Sequence, residues 1–235
     1  MGSKYFYMKV FGNYGLFTAP ESKGGGEKMT YMIPTRQALK GIVDACYFKP
    51  TFVNVVDEVK VMNKISTSTM GIRALYSDGS PGLNYFTALE KPMYLVKFHF
   101  EWNNSREDLA KDRNIKKHEA IMQRSIKKGG RRDVFLGTRE FVGYIEEISE
   151  EEYELAKSYY FGNTLSFGYM FQEFIYPKEQ GEPLLSCYSD ITMKDGIITY
   201  IDAKECPIKN ELSDYNFKYP DEIKSVDEEY EEVFD

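Results

Sequence analysis

Four segments of the first 148 residues have the composition and spacing of β-strands. Residues 4–18 alternate polar and apolar side chains and are rich in aromatics. Residues 51–64, 93–102 and 134–148 are similarly rich in β-branched and aromatic residues. Such residues suit a pleated, half-buried surface, so each segment predicts a strand.

Two other segments of the same region predict helices. Between Thr35 and Pro50 the apolar residues recur every three or four positions, with Thr35 as a suitable N-cap, and the proline prevents the helix from continuing. The apolar stripe of this helix comprises Leu39, Ile42, Val43 and Cys46. A second helix is predicted over 114–128. It would end at Gly129 and Gly130, the residue type that most often terminates a helix.

The resulting order is β-α-β-β-α-β, which predicts an α+β fold with a ferredoxin-like domain, as in many RNA-binding proteins. With right-handed crossovers, the first and third strands are neighbours and the two helices run antiparallel. The C-terminal end of the first helix should therefore lie near the N-terminal end of the second helix.

The second half of the chain has a different pattern. Residues 149–162 are acidic and aromatic, and Asp195-Gly196 is a strong hairpin signal between apolar segments. Those segments cover residues 164–176, 184–193 and 197–202. We therefore predict a ferredoxin-like domain over 1–148, a small appended antiparallel β-sheet domain over 149–210, and an acidic tail over 211–235.

Charge is distributed unevenly along the chain. The formal net charge is −7, yet residues 1–140 carry a net +9 and residues 141–235 a net −16. Residues 111–140 alone hold ten Lys/Arg against four Asp/Glu, an excess that indicates a polyanionic ligand. The last 25 residues hold ten carboxylates and two lysines. This tail is expected to be solvated or disordered, or to dock on a basic neighbour.

Three residues near the predicted meeting of the helices have chemistry suited to RNA cleavage. Tyr47 ends the first helix, and Lys117 and His118 lie near the start of the second if Asn114 is its N-cap. A helix N-terminus favours phosphate, and an imidazole can act as base or acid near neutral pH. Attack by a ribose 2′-hydroxyl on the adjacent phosphorus needs only proton transfer and a compensating cation. An earlier helix start at Ser105 would instead place Lys117 and His118 mid-helix on different faces.

Further basic residues are predicted to bind the RNA backbone. They are Lys28, Arg113, Lys116, Arg124, Lys127, Lys128, Arg131 and Arg132. Lys28 follows a glycine-rich segment, which is either a loop that contacts RNA or simply the tip of a hairpin. Arg131 and Arg132 follow two glycines that allow close approach of the backbone to a phosphate.

Several classes of cofactor and location are disfavoured. The carboxylates and cysteines have no metal-ligand spacing, so we expect no metal and no cofactor. Cys46, Cys187 and Cys206 are odd in number and widely spaced, which suits a reducing cytoplasm. No apolar run approaches the roughly 20 residues that span a bilayer, so no membrane association is expected.

Two long blocks of the chain resemble the CRISPR-associated Cas-five family of subtype I-C, the Dvulg group of the RAMP superfamily. The blocks run from Gly25 to Thr51 and from Asp112 to Glu140. The resemblance implies metal-independent cleavage of CRISPR repeat RNA to give a 2′,3′-cyclic phosphate. It also implies that the catalytic tyrosine, lysine and histidine are Tyr47, Lys117 and His118. Family members then remain on the guide RNA, beside the backbone and large subunits of an interference complex. Whether double-stranded DNA is also bound stays open.

Two alternatives compete with an endoribonuclease. The first is a scaffold subunit that binds RNA without cutting it. The second is a metabolic enzyme that uses the basic cleft for a small phosphorylated ligand, although ten clustered bases exceed what one small anion needs.

Overall fold

The computed structural model describes residues 2–22, 24, 27–218, 220 and 222–234, so Lys23, Gly25 and Gly26 of the glycine-rich segment lie outside the described residues. The strands are β1 (Phe6–Gly12), β2 (Tyr14–Gly15), β3 (Glu27–Met29), β4 (Phe52–Val61), β5 (Thr67–Leu75), β6 (Pro81–Glu90), β7 (Met93–Trp102), β8 (Val134–Phe135), β9 (Val142–Glu147), β10 (Thr164–Ile175), β11 (Pro183–Lys194), β12 (Ile197–Thr199) and β13 (Ile208–Asp214). The α-helices are α1 (Arg36–Cys46), α2 (Ile115–Lys127), α3 (Glu150–Leu155) and α4 (Val226–Phe234).

The main sheet has the strand order β10-β11-β12-β4-β7-β1-β9-β8, with β13 beside β11. Its central part, β4-β7-β1-β9, forms with α1 and α2 the predicted ferredoxin-like arrangement. As expected, β1 and β7 are antiparallel neighbours, with Met8 opposite Val96. The predicted α+β class and the ferredoxin-like order are confirmed.

Alternation along β1 separates the two faces of this sheet. Phe6, Met8 and Val10 belong to the main core, to which α1 and α2 also contribute. The helix residues in this core are Leu39, Ile42, Val43 and Cys46 of α1 and Ile121, Met122 and Ile126 of α2. On the opposite face, Tyr7 packs against Tyr153 of α3, with ring centroids 5.2 Å apart. Helices α1 and α2 therefore lie on the same side of the sheet.

The connection between the second and third predicted strands contains two further strands. Strands β5 and β6 form a long antiparallel hairpin there, and with β2 and β3 they build a second sheet. The tip of the hairpin is a tight turn in which Gly79 has φ +81° and the Asp78 carboxylate accepts from the Ser80 amide at 2.9 Å. Glycine, serine and aspartate therefore mark a hairpin turn here.

The fourth predicted strand, 134–148, is wrong as a single strand. The structure divides it into β8 and β9, joined by a turn in which the Leu136 amide donates to the Phe141 carbonyl at 2.8 Å. Gly137 has φ +96°, and a Cβ on it would lie 1.8 Å from the Leu16 carbonyl oxygen. The close approach of these two backbones excludes every side chain larger than glycine's hydrogen.

The second half of the chain extends the main sheet. The predicted hairpin at Asp195-Gly196 is confirmed, with both residues at positive φ. Strand β12 then pairs with β4, so strands from both sides of the predicted boundary at residue 148 belong to one sheet. Arg36 of α1 donates to the Ile201 carbonyl at 3.1 Å and forms an ion pair with Glu173 of β10. The domain boundaries at residues 148 and 210 stay a prediction.

Candidate active site

The end of α1 places Tyr47 in the core. Thr35 caps the helix as predicted, its side chain accepting from the Ala38 amide at 3.1 Å. Tyr47 is the C-cap, with extended backbone angles, and its side chain is only 1% exposed. The side-chain amide of Asn54 in β4 donates to the Tyr47 backbone carbonyl at 3.0 Å and so holds the chain where the helix ends.

Of the two predicted starts of helix α2, the one with Asn114 as N-cap is confirmed. Asn114 is the N-cap, and its side chain accepts from the Lys117 amide at 3.3 Å. The region around Ser105 and up to Asp112 holds only a short 3₁₀ turn, so the earlier helix start is wrong. His118 therefore lies in the first turns of α2, and it is fully buried.

Tyr47 and His118 meet where the two helix ends converge. The Tyr47 hydroxyl lies 2.9 Å from His118 Nδ1, although the residues are 71 positions apart. His118 Nε2 lies 2.8 Å from the backbone carbonyl oxygen of Asp112. A carbonyl oxygen only accepts, so Nε2 carries the proton, and Nδ1 accepts the hydrogen bond from the Tyr47 hydroxyl.

Burial sets the protonation of both groups. It lowers the pKa of His118 below its ordinary value of 6.5, against smaller opposing effects of Asp112. It also holds the pKa of Tyr47 well above 10, with further contributions from the carboxylates of Glu229 and Asp112. The pair is therefore a neutral phenol donating to a neutral imidazole.

Lys117 lies beside this pair in the chain but points to a different neighbour. Its ammonium forms an ion pair with Asp227 of α4 at 2.6 Å and lies 5.4 Å from the centre of the Tyr230 ring. Successive helix residues diverge by about 100°, which is why Lys117 reaches α4 while His118 faces the core.

The predicted RNA-binding residues fall into three groups. Lys116, Lys127, Lys128 and Arg132 are exposed. Arg124 and Arg131 contact α4: the Arg124 guanidinium lies 5.0 Å from the Phe234 ring, and Arg131 forms an ion pair with Glu229 at 3.0 Å. The third group is held elsewhere. Arg113 donates to the Asn103 carbonyl, and Lys28 lies over Phe86 in the second sheet.

The glycines after α2 determine where Arg131 lies. Gly129 and Gly130 have φ +82° and +105° and close the helix as predicted. The chain then turns so that the amides of Arg131 and Arg132 donate to the Ala45 carbonyl near the end of α1. The Arg131 guanidinium consequently lies 5.3 Å from the centre of the Tyr47 ring.

Sequence reasoning missed two charged residues of this site, Lys49 and Asp112. Lys49 is 3% exposed, and its ammonium forms an ion pair with the Asp112 carboxylate at 3.2 Å. The other Asp112 oxygen accepts from the Val226 amide at 2.5 Å, and Thr51 donates to the carboxylate as well. A lysine two residues after Tyr47 gave no signal, because a buried lysine needs partners that are distant in sequence.

Comparison with known proteins identifies the family. The family sequence model for the Cas5d type of CRISPR-associated protein (Cas5) matches residues 6–201, which include α1, α2 and the tyrosine–histidine pair. The chain belongs to the CRISPR-associated Cas5 family.

Three other proteins are similar to this chain in sequence or in structure. The chain is 26% identical over 190 residues, 76% of its length and 77% of the relative's, to the CRISPR pre-crRNA endoribonuclease Cas5d of Thermus thermophilus. It is 49% identical to a solved CRISPR-associated protein, with a TM-score of 0.78 over 89% of this chain and 98% of that one. A functionally uncharacterized protein from Streptococcus mutans matches equally in identity and coverage, with a TM-score of 0.77.

In the part of the chain that the structure describes, no group of three or more His, Cys, Asp or Glu side chains has an arrangement that could hold a metal ion. No helix in that part of the chain is long and apolar enough to cross a bilayer.

Proposed function

We propose that this Cas5 family member is an endoribonuclease that cleaves CRISPR repeat RNA without a metal ion. The hydrogen bond between the Tyr47 hydroxyl and His118 Nδ1 supports this proposal most directly. It joins a phenol and an imidazole at a helix N-terminus, where a phosphate is favoured. A family relative is named as an endoribonuclease that acts on pre-crRNA.

The polarity of the hydrogen bond suggests a proton relay. As the ribose 2′-oxygen attacks phosphorus, its proton passes to the Tyr47 oxygen while the phenolic proton passes to His118 Nδ1. No free tyrosinate forms, which suits a phenol whose pKa burial has raised. The neutral imidazole is ready to accept, because burial also lowers the pKa of His118.

Lys117 serves the other half of the reaction in this proposal. Its ammonium offsets the negative charge that develops on the phosphorane, and it supplies a proton to the departing 5′-oxygen. The phosphorus–O2′ bond forms as the phosphorus–O5′ bond breaks. The products are a 2′,3′-cyclic phosphate and a 5′-hydroxyl, and solvent then restores the two protonation states.

We further propose that the protein keeps the processed guide RNA and joins an interference complex with backbone and large subunits in the cytoplasm. The exposed basic residues of α2 and of the turn after it would hold the RNA backbone.

A scaffold without chemistry is the second candidate function. The observation that favours it is the burial of Tyr47 and His118, which are 1% and 0% exposed. A scaffold would bind repeat RNA in a salt-dependent way and leave its ends unchanged.

The deciding experiment uses a labelled repeat hairpin in excess EDTA. The wild-type protein should leave cyclic-phosphate ends, and a single 2′-deoxy nucleotide at the cleavage position should prevent the cut. We expect Tyr47→Phe and His118→Ala to lower the rate on the order of 100- to 10,000-fold. His99→Ala is the matched control, since His99 bonds to Asp57 in the sheet. Cleavage of the deoxy substrate, or full activity of His118→Ala, would rule out this mechanism.

A further inference from the structure

The acidic C-terminal segment ends in a helix that the sequence reasoning did not predict. Ser225 and Glu228 cap α4 reciprocally, because the Ser225 amide donates to the Glu228 carboxylate and the Glu228 amide donates to the Ser225 hydroxyl. Val226, Tyr230 and Phe234 follow at intervals of four residues and form one apolar edge. Helix α4 is therefore amphipathic and strongly acidic in its first turn.

This helix lies directly over the candidate active site. Asp227 pairs with Lys117, and Glu229 pairs with Arg131. The Glu229 carboxylate also lies 3.7 Å from the Lys49 ammonium and close enough to Tyr47 to raise its pKa. Three cations around the tyrosine–histidine pair are thus neutralised by carboxylates from one helix.

The buried Lys49 anchors the start of the helix. Its ammonium donates to the Lys224 carbonyl at 2.5 Å, while the paired Asp112 accepts from the Val226 amide. If α4 moved away, Lys49 would lose both Glu229 and the Lys224 carbonyl and would keep Asp112. Its ammonium would then have hydrogen-bond donors free for a phosphate oxygen, next to the imidazole on which it already acts electrostatically.

We propose that α4 is an anionic plug. Its Asp227 and Glu229 carboxylates occupy the positions of RNA phosphates in a subsite formed by Lys49, Lys117 and Arg131, and the helix must leave before RNA reaches Tyr47 and His118. The proposal rests on the proposed function for the identity of the ligand. It explains how a catalytic pair can be almost fully buried: α4 forms its cover, and the cover is removable.

The interface of α4 is suited to release. In the described part of the helix only Val226 is buried, and two ion pairs, Asp227–Lys117 and Glu229–Arg131, are partly exposed, since the Lys117 and Arg131 side chains are 31% and 41% exposed. Partly exposed ion pairs contribute little stability and weaken with salt. A polyanion competes for the same cations, and a closed fraction of about 99% would weaken apparent RNA affinity about 100-fold.

The test uses full-length protein and a repeat RNA made uncleavable by a 2′-deoxy nucleotide. Glu229→Gln should bind this RNA about tenfold more tightly than Glu231→Gln, because the closed state then holds fewer ion pairs. Glu231 is exposed on the same helix, so its substitution changes the net charge equally without removing these contacts. Equal affinity of the two variants would overturn the proposal.

Hydrogen exchange of the wild-type protein gives a second readout. At saturating RNA, amides of 226–234 should exchange faster while amides at the start of α2 exchange more slowly. Unchanged or slower exchange in α4 would overturn the plug whatever the affinities. Since the RNA cannot be cut, neither result depends on catalysis. Release of α4 without cleavage of the natural substrate would sink the endoribonuclease proposal alone.

Discussion

At the scale of single residues, the two histidines show how position alters one side chain. His99 Nδ1 lies 2.8 Å from an Asp57 carboxylate oxygen, and this hydrogen bond raises the pKa of His99 above 6.5. His118 is surrounded by aromatic rings, including those of Phe52 and Trp102, and burial lowers its pKa below 6.5. The first histidine is stabilised as a cation, and the second as a neutral base suited to accept a proton.

These opposite shifts predict opposite effects of pH on stability. The unfolded chain binds a proton at His118 more readily than the folded one, so that contribution is complete above pH 6.5 and is lost as the pH falls below it. The contribution of His99 is complete below 6.5 and is lost as the pH rises through its higher folded pKa.

We therefore expect His118→Gln to lose less unfolding free energy than the wild type between about pH 7.5 and about pH 5.5. His99→Gln should lose more over the same interval. Urea unfolding at both pH values measures the unfolding free energy of each protein. The difference between the two pH values is then compared among the proteins, which cancels the constant cost of each substitution. An equal change in unfolding free energy with pH for His118→Gln and the wild type would contradict a neutral, buried imidazole.

At the scale of elements, caps place the site residues. Asn114 begins α2 and bonds to the amide of Lys117, so one side chain positions both catalytic candidates of that helix. Ser149 caps α3 in the same way, through the amide of Glu152, on the opposite face of the sheet. The two caps are chemically similar but serve different parts of the molecule.

The caps provide a matched pair of substitutions. Asn114→Ala and Ser149→Ala should each lower the unfolding free energy by about 1 kcal/mol. Only Asn114→Ala should slow cleavage, by about tenfold, because displaced catalytic groups lose alignment. Single-turnover cleavage and thermal unfolding of both variants make the comparison. Equal rates would show that the cap does not position the site.

At the scale of the whole molecule, one core and one sheet join the two halves of the chain. Core residues from β1 to α4 form one cluster, and Arg36 links α1 to Glu173 with side-chain exposures of 9% and 14%. Removing one partner of a buried pair leaves an uncompensated charge. The position of Arg36 between the halves makes it a probe of their coupling.

Arg36→Met should lower stability by about 3 kcal/mol, because Glu173 loses its partner. Since β12 pairs with β4, fluorescence of Trp102 in β7 and far-ultraviolet circular dichroism should report one coincident unfolding transition. Two separated transitions would instead support an independent unit over 149–210. The measurement therefore tests the predicted domain boundaries as well.

The sequence alone supported much of this account. Alternation and helical spacing predicted α1, α2 and the four central strands, and Asn114, Gly129 and Gly130 marked the ends of α2. The β5–β6 hairpin was missed because its turn resembles an ordinary loop. The division of the fourth strand at Gly137 was missed because it depends on the approach of the Leu16 backbone.

What the sequence determined by itself is local: the periods that form helices and strands, the caps, and a tyrosine, a lysine and a histidine of suitable chemistry. These follow from interactions within a few residues of each other. Tertiary structure decided that Tyr47 donates to His118 across 71 residues and that Lys49 contacts Lys224 across 175. Such contacts depend on how the helices pack on the sheet, so only the folded chain revealed that its acidic end lies over its basic site.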